Sequence, residues 1–317
     1  MARLTLEHVG KQYPNGFEAV RDVTVDIEDK EFVVFMGPSG CGKSTLFRVI
    51  AGMESITSGE IRIDDKVINE EESKDREIAM MFENYAIYQT LTVYENLAFG
   101  LKLRGFSKEE IEERVLETAQ IMDLTHLLSR KPSALSDIQQ HRLAMGRAII
   151  CHPKVILMNE PFMYIEQKYR RAMWAELANL QQRLGITIAY VANNYEEAVR
   201  LASRIVIMNK GTVQQIGTVK ELTEQPNSMM VAGYFGKGHM NFREMVCREK
   251  DGRVWLDADL FEVELPAEKG QKLIDGGYVG KTVIGGIRLE DEYQEIEDID
   301  VNKLHVFDKE TEAVITN

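Results

Sequence analysis

The fold of this chain is decided by the stretch EFVVFMGPSGCGKSTLFRVIAGM, which runs from Glu31 to Met53. Its opening, EFVVFMG, is a short apolar run that ends in glycine and predicts a buried strand. Its close, KSTLFRVIAGM, has helical character. The part between them, GPSGCGKST, fits the pattern G-x-x-x-x-G-K-[ST] and lies between a strand and the opening of a helix, as that motif requires. A chance glycine-rich turn is the alternative, but this context favours nucleotide binding.

The chemistry of such a loop assigns roles to its residues. Glycines let the backbone wrap round phosphates, while the amide groups and the helix N-terminus complement their negative charge. Lys43 is expected to reach the β- and γ-phosphates, and Ser44 to offer its hydroxyl to Mg²⁺. The loop therefore predicts that a nucleotide and Mg²⁺ are bound, and the residues expected to bind them are Gly37, Pro38, Ser39, Gly40, Cys41, Gly42, Lys43, Ser44 and Thr45.

The segments around the loop alternate between strand and helix patterns, which predicts an α/β domain with a mostly parallel sheet. KVILM and ITIAYVA are further buried-strand candidates. Between them, YRRAMWAELANLQQRLG has helical periodicity and ends at Gly185, a plausible C-cap. RIVIMNKGTVQQIG predicts two strands joined by a tight turn at Asn209 to Gly211.

The pattern changes after a glycine-rich passage at residues 232–242, AGYFGKGHMNF. Short alternating runs follow, such as GRVWLDADLFEVELP and KTVIGGIRLED, and they suit a small β-domain. We place the boundary near residue 236, giving domains 1–235 and 236–317.

Composition and charge exclude several classes of function. The 317 residues are 44% hydrophobic, enough for one large and one smaller core, and the formal net charge is −13. Such a charge argues against broad electrostatic binding to nucleic acid or to anionic lipid. No apolar run is long enough to cross a bilayer and the N-terminus lacks a signal-peptide core, so a cytosolic location is expected. The three cysteines, Cys41, Cys151 and Cys247, suit neither disulfides nor a zinc site.

Four long stretches carry a resemblance to a known family: Gly10–Asp65, Asp75–Gly105, Arg130–Ile149 and Ala202–Thr218. They resemble the ATP-binding subunits of ABC transporters, specifically importers for sugars and related solutes. GGIRLED is similar to part of the small C-terminal β-domain of that branch. The resemblance implies an ABC-type α/β nucleotide-binding domain with a helical signature subdomain at about residues 84–150. It also implies a β-rich, OB-like C-terminal domain, here shorter than in the family.

The resemblance also implies contacts and partners. Tyr13 is expected to stack on adenine, although a tyrosine packed at a strand end is the alternative. The groove near Glu83 to Leu103 is expected to dock on membrane-spanning permease subunits, while YENLAFGLKL equally suits ordinary helix core. The family works as a pair of ATP-binding subunits, identical or different, and meets an extracytoplasmic solute-binding protein only indirectly. These partners place the chain peripherally on the cytoplasmic face of the cell membrane.

Several positions that the family uses for hydrolysis are changed. The chain keeps Glu160, the expected catalytic carboxylate that polarises water. Asn159 replaces the family's Mg²⁺-holding Asp, Glu83 replaces the Gln that senses Mg²⁺ and water, and Asn193 replaces the switch His. An amide at residue 159 lacks the negative charge of a carboxylate, and Asn193 cannot carry a positive charge near the γ-phosphate. The implied metal site is Ser44, Glu83 and Asn159.

The signature segment, through which one subunit meets the nucleotide on the other, is also altered. The family's Leu-Ser-Gly-Gly-Gln is LSDIQ here, and Asp137 and Ile138 bring a carboxylate and a branched side chain toward the phosphate. Ser136 and Gln139, the nucleotide-binding residues implied at this segment, keep the S-x-x-Q spacing of a capping box. The helix start is therefore predicted to survive while its ligand function is lost.

These changes together predict a subunit that binds nucleotide but hydrolyses it slowly or not at all. Each substitution alone is compatible with drift, but together they affect nearly every catalytic element and leave the phosphate loop intact. Two other interpretations stay open. One is a non-catalytic regulatory or scaffold protein that binds ATP to cap or inhibit an active subunit, and the other is an active ATPase that uses substitute residues.

Overall fold

The computed structural model describes residues 2–83, 85–258, 261–289 and 300–317. The chain divides into two compact units, Met1–Val213 and Gln214–Asn317. Across the described ranges, no helix combines the length and the apolar character that crossing a membrane requires.

The sheet that carries the phosphate loop is built mainly from buried parallel strands. Its strands are β3 (Phe32–Met36), β6 (Ile78–Met81), β7 (Val155–Asn159), β8 (Thr187–Val191), β9 (Arg204–Asn209) and β10 (Thr212–Gly217). Their order is β10-β9-β3-β8-β7-β6. β3 pairs in parallel with β8 and β9, and β7 pairs in parallel with β6 and β8. Every residue of β3, β7 and β8 is buried, which explains their unbroken apolar sequences. The predicted parallel sheet is confirmed.

A second, antiparallel sheet completes the first unit. It contains β1 (Leu4–Gln12), β2 (Glu18–Ile27), β4 (Ser58–Ile63) and β5 (Lys66–Val67) in the order β2-β1-β4-β5. β1 pairs antiparallel with both β2 and β4. In the other sheet, β9 and β10 are joined by Lys210 and Gly211, both with positive φ, which confirms the predicted tight turn.

The helices of the first unit begin and end at residues that suit helix ends. They are α1 (Lys43–Ile50), α2 (Val93–Leu103), α3 (Lys108–Ile121), α4 (Asp137–Ile149), α5 (Gln167–Leu184) and α6 (Tyr195–Leu201). α2, α3 and α4 each begin with a capping box. α5 ends at Gly185 in the left-handed conformation, as predicted. Asn84, at the edge of the predicted helical subdomain, lies outside the described residues.

The second unit is rich in β-structure, as predicted. It contains α7 (Val219–Glu224), α8 (Met229–Tyr234), β11 (His239–Lys250), β12 (Arg253–Asp257), β13 (Glu262–Glu264), α9 (Ala267–Asp275), β14 (Thr282–Leu289), β15 (His305–Asp308) and β16 (Val314–Thr316). One sheet holds its strands in the order β13-β12-β11-β14-β15-β16. The core between this sheet and α9 includes Cys247, Leu256, Leu273 and Val306.

The division between the units comes earlier in the chain than the change in composition near residue 236. α8 precedes residue 236 but contacts β11 of the second unit. The Arg288 guanidinium of β14 also donates to the carbonyl oxygens of Ala232 and Phe235 at 2.5 and 2.8 Å. Composition does not reveal such tertiary contacts. Of the GGIRLED stretch, the first five residues lie in β14 and the last two lie outside the described residues.

Candidate nucleotide site

The phosphate loop joins the end of β3 to the start of α1, and its shape depends on glycine. Gly37, Gly40 and Gly42 have positive φ angles of 153°, 77° and 107°. A Cβ atom on Gly37 would lie 2.1 Å from the Met208 carbonyl oxygen, and one on Gly42 would lie 2.2 Å from the Ala19 carbonyl oxygen. Only glycine fits these two positions. The loop is thus held in a fixed turn that ends at the N-terminus of α1.

Lys43 lies folded over this loop. Its Nζ donates to the carbonyl oxygens of Gly37 at 2.7 Å and Pro38 at 3.1 Å. The side chain is buried, with 6% of the residue exposed. Across the described part of the chain, the ammonium group has no carboxylate within ion-pair distance. Its positive charge is therefore available to the phosphates of a nucleotide.

The three side chains predicted to hold the metal lie together. Ser44 Oγ donates to Asn159 Oδ1 at 3.3 Å, and Asn159 Nδ2 donates to Glu83 Oε2 at 3.4 Å. Asn159 ends β7 and Glu83 follows the neighbouring β6, so the parallel sheet brings their side chains to one edge. A hydroxyl, an amide oxygen and one carboxylate are hard oxygen ligands that suit Mg²⁺. The residues present therefore fit the metal that the phosphate loop implies.

Glu160 and Asn193 form a second pair beside the first. The Asn193 amide donates a short hydrogen bond to Glu160 Oε2. Glu160 has a positive φ of 50°, and its backbone N–H donates to the Val191 carbonyl oxygen at 3.3 Å. The structure thus joins the two positions through an amide, which hydrogen-bonds but does not change charge with pH as a histidine does.

A buried network supports the loop that carries Asn193. Glu197 lies in α6, and its carboxylate accepts from Tyr190 Oη and from Trp174 Nε1, the latter at 3.2 Å. Burial raises the pKa of Glu197. Asn194 caps α6 by accepting from the Glu197 backbone N–H at 2.8 Å. The sequence analysis missed these residues, although Asn194 with Glu197 three positions later is a visible helix-start signal.

Tyr13 follows β1 and is half-buried. Its ring is stacked on that of Phe17, with centroids 6.4 Å apart and planes inclined by 14°. Lys11 Nζ lies 5.3 Å from the centroid of the Tyr13 ring. An aromatic pair and a nearby cation suit a packing role at the end of a strand, and Phe17 is 56% exposed as a residue. Stacking of Tyr13 on adenine stays a prediction.

The signature segment forms the predicted capping box at the start of α4. Ser136 N–H donates to Gln139 Oε1 at 3.0 Å, and Gln139 N–H donates to Ser136 Oγ at 3.4 Å. Asp137 is exposed at the first position of the helix and Ile138 is half-buried. Among the described residues, no hydrogen bond joins Ser136 or Gln139 to the phosphate loop. Both side chains instead complete their own helix start.

The expected docking segment has one face in the core and another along a groove. Val93, Leu97, Ala98 and Leu101 of α2 are buried. A groove of about 370 Å³ lies beside them, lined in part by Tyr88, Phe99, Leu103 and Arg147. Leu103 is 75% exposed. The helix therefore has a core face and a face along a groove, and docking of this groove on permease subunits stays a prediction.

Comparison with known proteins gives the same assignment as the motifs. Residues 20–163 match the ABC transporter family. The multiple sugar-binding transport ATP-binding protein MsmK of Streptococcus mutans is 46% identical over 92% of this chain and 79% of its own length. The oligosaccharides import ATP-binding protein MsmX of Bacillus subtilis is 47% identical over 93% of this chain and 80% of its own length.

Solved structures share the fold. The ATP-binding cassette MJ0796, in a dimeric post-hydrolysis state bound to ADP and Pi, superposes with a TM-score of 0.59 and 29% identity over 68% of this chain and 98% of that chain. The structure of cbiO1 from Clostridium perfringens, part of an ABC transporter complex, superposes with a TM-score of 0.64 and 27% identity. The match covers 69% of this chain and 89% of that chain. With its phosphate loop, its sheet order and these relatives, the chain belongs to the ABC transporter family of ATP-binding proteins.

Proposed function

We propose that this protein is the ATP-binding subunit of a carbohydrate importer that binds Mg·ATP firmly and hydrolyses it slowly. The observation that carries the proposal is the contrast within one site. The phosphate loop with Lys43 is intact, whereas amide groups at Asn159 and Asn193 stand beside Glu83 and Glu160. The phosphate-binding groups are kept, whereas Glu160 is the one expected hydrolytic group of this site that is unchanged.

Carbohydrate as the solute is supported by the relatives. MsmK and MsmX carry the words multiple sugar-binding and oligosaccharides import in their names. SugC of Mycobacterium tuberculosis, named for trehalose import, is 51% identical over 76% of this chain and 62% of its own length. Because other subunits select the solute, the proposal names carbohydrate as the class of solute and no particular sugar.

Slow hydrolysis follows from the charges at the site. Asn193 is neutral at every pH and cannot stabilise the negative charge that develops on the γ-phosphate in the transition state. Its amide also occupies one oxygen of Glu160, the carboxylate proposed to polarise water. In a paired arrangement, Asp137 of the opposite subunit would bring a carboxylate toward the phosphate. Each of these effects raises the barrier to hydrolysis.

We further propose that the protein acts as a pair and docks on permease subunits. The dimeric state of the cassette MJ0796 supports pairing in this family. The groove beside α2, with Leu103 75% exposed, supports contact with an apolar partner. Such docking would hold the chain peripherally at the cytoplasmic face of the membrane. The extracytoplasmic solute-binding protein would meet the permease on the opposite side, and this subunit only indirectly.

A regulatory role is the second candidate, and an exposed surface next to the site favours it. Met163 and Tyr164 follow Glu160 and are 50% and 67% exposed. Large apolar side chains at such positions suit contact with another subunit. In the regulatory role the chain would bind ATP, associate with an intact ATPase subunit to cap or inhibit it, and hydrolyse no ATP itself.

The test combines binding and turnover. Mg·ATP affinity is measured by calorimetry on the purified chain, and phosphate release is measured with and without permease subunits. We expect clear binding that Lys43→Ala abolishes, with slow release in both settings. Fast release by the isolated chain, lost in Lys43→Ala, would instead establish an active ATPase with substitute residues. A fall in the phosphate release of an intact partner subunit when this chain is added would support the regulatory role, and an unchanged partner rate would contradict it.

A further inference from the structure

The proposed nucleotide contacts leave one buried carboxylate beside the site unused. Glu197 in α6 is 6% exposed. A carboxylate is rarely buried unless polar groups surround it, because removing its charge from water costs free energy. The contacts of Glu197 therefore indicate what this buried position provides.

The Glu197 carboxylate connects a helix and a strand to the loop that follows β8. One oxygen, Oε1, accepts from Trp174 Nε1 in α5 at 3.2 Å and from Tyr190 Oη in β8. The other oxygen, Oε2, accepts from Asn194 Nδ2 at 3.3 Å. The Asn193 backbone N–H also donates to this carboxylate. Two buried donors thus hold the carboxylate on one side, and the carboxylate holds the loop on the other.

The side chain of Asn193 depends on this support. Asn193 is exposed, so packing does not fix its side chain. A cavity of about 80 Å³, lined by Asn193, Glu160, Met163 and Glu197 among others, leaves the amide room to turn. The amide nevertheless donates a short hydrogen bond to Glu160 Oε2. The contacts of the loop with Glu197 hold the backbone from which this amide extends.

The Asn193 amide lies at the edge of the sheet where the last phosphate of a nucleotide is expected. β8 is the direct neighbour of β3, which leads into the phosphate loop, and the Ala192 backbone N–H donates to the Phe35 carbonyl oxygen at 3.1 Å. In proteins with this loop the cation bridges the β- and γ-phosphates. Asn159 is one of the three residues that fit the cation, and Glu160 follows it directly. A γ-phosphate beside the cation would therefore lie near the pair of Glu160 and Asn193.

We propose that Glu197 is a positioning residue that sets the preference of this site for Mg·ATP over Mg·ADP. Its carboxylate orients Asn193, whose amide has two N–H donors. One donates to Glu160 and the other donates to the γ-phosphate, which ADP lacks. The proposal rests on nucleotide binding as the proposed function, and it does not depend on the rate of hydrolysis.

The first measurement tests the positioning without any nucleotide. The asparagine side chains of the full chain are labelled with ¹⁵N, and the Asn193 signal is identified by its loss in Asn193→Ser. Glu197→Gln keeps the size of the side chain but places an amino group among donors. We expect the Asn193 signal to move toward that of a solvent-exposed amide, while the signal of the buried Asn96 in α2 stays in place. An unchanged Asn193 signal would overturn the positioning role.

The second measurement compares Mg·ATP with Mg·ADP by calorimetry. The parent should prefer Mg·ATP, and Glu197→Gln should weaken Mg·ATP binding by about fivefold, the worth of one hydrogen bond, while Mg·ADP affinity stays unchanged. An equal loss for both nucleotides would indicate a merely structural role and overturn the proposal, as would a parent with no preference. If the parent binds neither nucleotide, the proposed function fails and the preference fails with it. The Asn193 signal then still shows whether Glu197 positions the loop.

The matched control is Glu196→Gln in the same helix. The Glu196 side chain is 44% exposed and forms ion pairs with Arg171 and Arg200. This variant should change neither the Asn193 signal nor the affinity for either nucleotide. Effects as large as those of Glu197→Gln would assign the changes to the charge of α6 and contradict the proposal.

A second variant approaches the carboxylate from its other side. Tyr190→Phe removes one donor to Glu197 Oε1 and keeps an aromatic ring beside Phe32 and Phe162. We expect it to move the Asn193 signal in the same direction as Glu197→Gln and to weaken Mg·ATP binding but not Mg·ADP binding. It decides the test if Glu197→Gln does not fold, which circular dichroism shows. A folded Tyr190→Phe with the parent's Asn193 signal and nucleotide affinities would then reject the proposal.

Discussion

Asn159 Nδ2, at the end of β7, donates to Glu83 Oε2 at 3.4 Å, and Glu83 lies two residues beyond the end of β6. The two strands are parallel neighbours, with Met158 in register with Met81. The resemblance places an acid at residue 159 and an amide at residue 83, whereas this chain carries the reverse. One carboxylate therefore remains beside Ser44, supplied from the other strand.

The first prediction concerns this exchange of charge. If Glu83 supplies the negative charge for Mg²⁺, Glu83→Gln should weaken Mg·ATP binding even though it restores the residue that the family carries. Asn159→Asp should then rescue the loss in the double variant. We expect a coupling free energy beyond about 0.5 kcal/mol, above the deviation usual for independent sites. The measurement is Mg·ATP affinity across the parent, both single variants and the double variant.

The control for this comparison of the parent, the two single variants and the double variant is ATP without Mg²⁺. In the presence of a chelator the effects of the two substitutions on ATP affinity should be additive, because the coupling acts through the cation. Additive effects with Mg²⁺ present would show that the Glu83 carboxylate contributes nothing to the metal site.

The second prediction concerns restoration of hydrolysis. In a homodimer each composite site combines the changed residues of one chain with the changed signature of the other. The pair Asp137→Gly and Ile138→Gly alone should therefore leave phosphate release slow, as should the pair Asn159→Asp and Asn193→His. All four changes together should raise the rate by about a hundredfold, because groups that act as a unit must be restored together. Substantial turnover from the glycine pair alone would mean that Asn159 and Asn193 are compatible with hydrolysis.

The third prediction separates the structural role of Ser136 from a ligand role. Ser136 and Ser107 begin α4 and α3 with the same capping box. Ser136→Ala and the matched control Ser107→Ala should each lower the free energy of unfolding by about 1 kcal/mol. Since the Gln139 side chain closes its own helix start, we expect neither variant to change ATP-dependent dimerisation. Loss of dimerisation in Ser136→Ala alone, measured by light scattering, would assign the serine to the nucleotide site.

Sequence patterns predicted the local features of this protein better than its contacts. The phosphate loop, the buried strands, the Gly185 cap and the capping box at Ser136 depend on residues close together in the chain. The pairing of Asn193 with Glu160 depends on which strands are neighbours, and that order follows from tertiary packing. The burial of Glu197 also depends on tertiary packing. It was missed because a carboxylate in the first turn of a helix ordinarily indicates an exposed position.

The last prediction concerns a buried histidine in α4, the helix that begins at the signature segment. His141 is 4% exposed, and its ring lies between those of Tyr85 and Phe162, at centroid distances of 5.5 and 4.7 Å. Among the described residues its Nε2 has no partner. Burial is the main cause that lowers the pKa of His141 from 6.5 to about 3. The imidazole is therefore neutral in the folded protein over the physiological range.

The sign of the pH effect follows from this shift. Because the unfolded chain binds a proton below pH 6.5 and the folded chain does so only near its lowered pKa, stability is full above 6.5 and falls as the pH falls. Between about pH 7 and pH 5 the loss from this group should be about 2 kcal/mol. His141→Phe keeps a ring between Tyr85 and Phe162 and removes the titration. Denaturant unfolding at the two pH values should therefore show a smaller loss in His141→Phe than in the parent, whereas the exposed control His126→Phe should follow the parent. An equal loss in all three proteins would show that His141 does not carry this pH dependence.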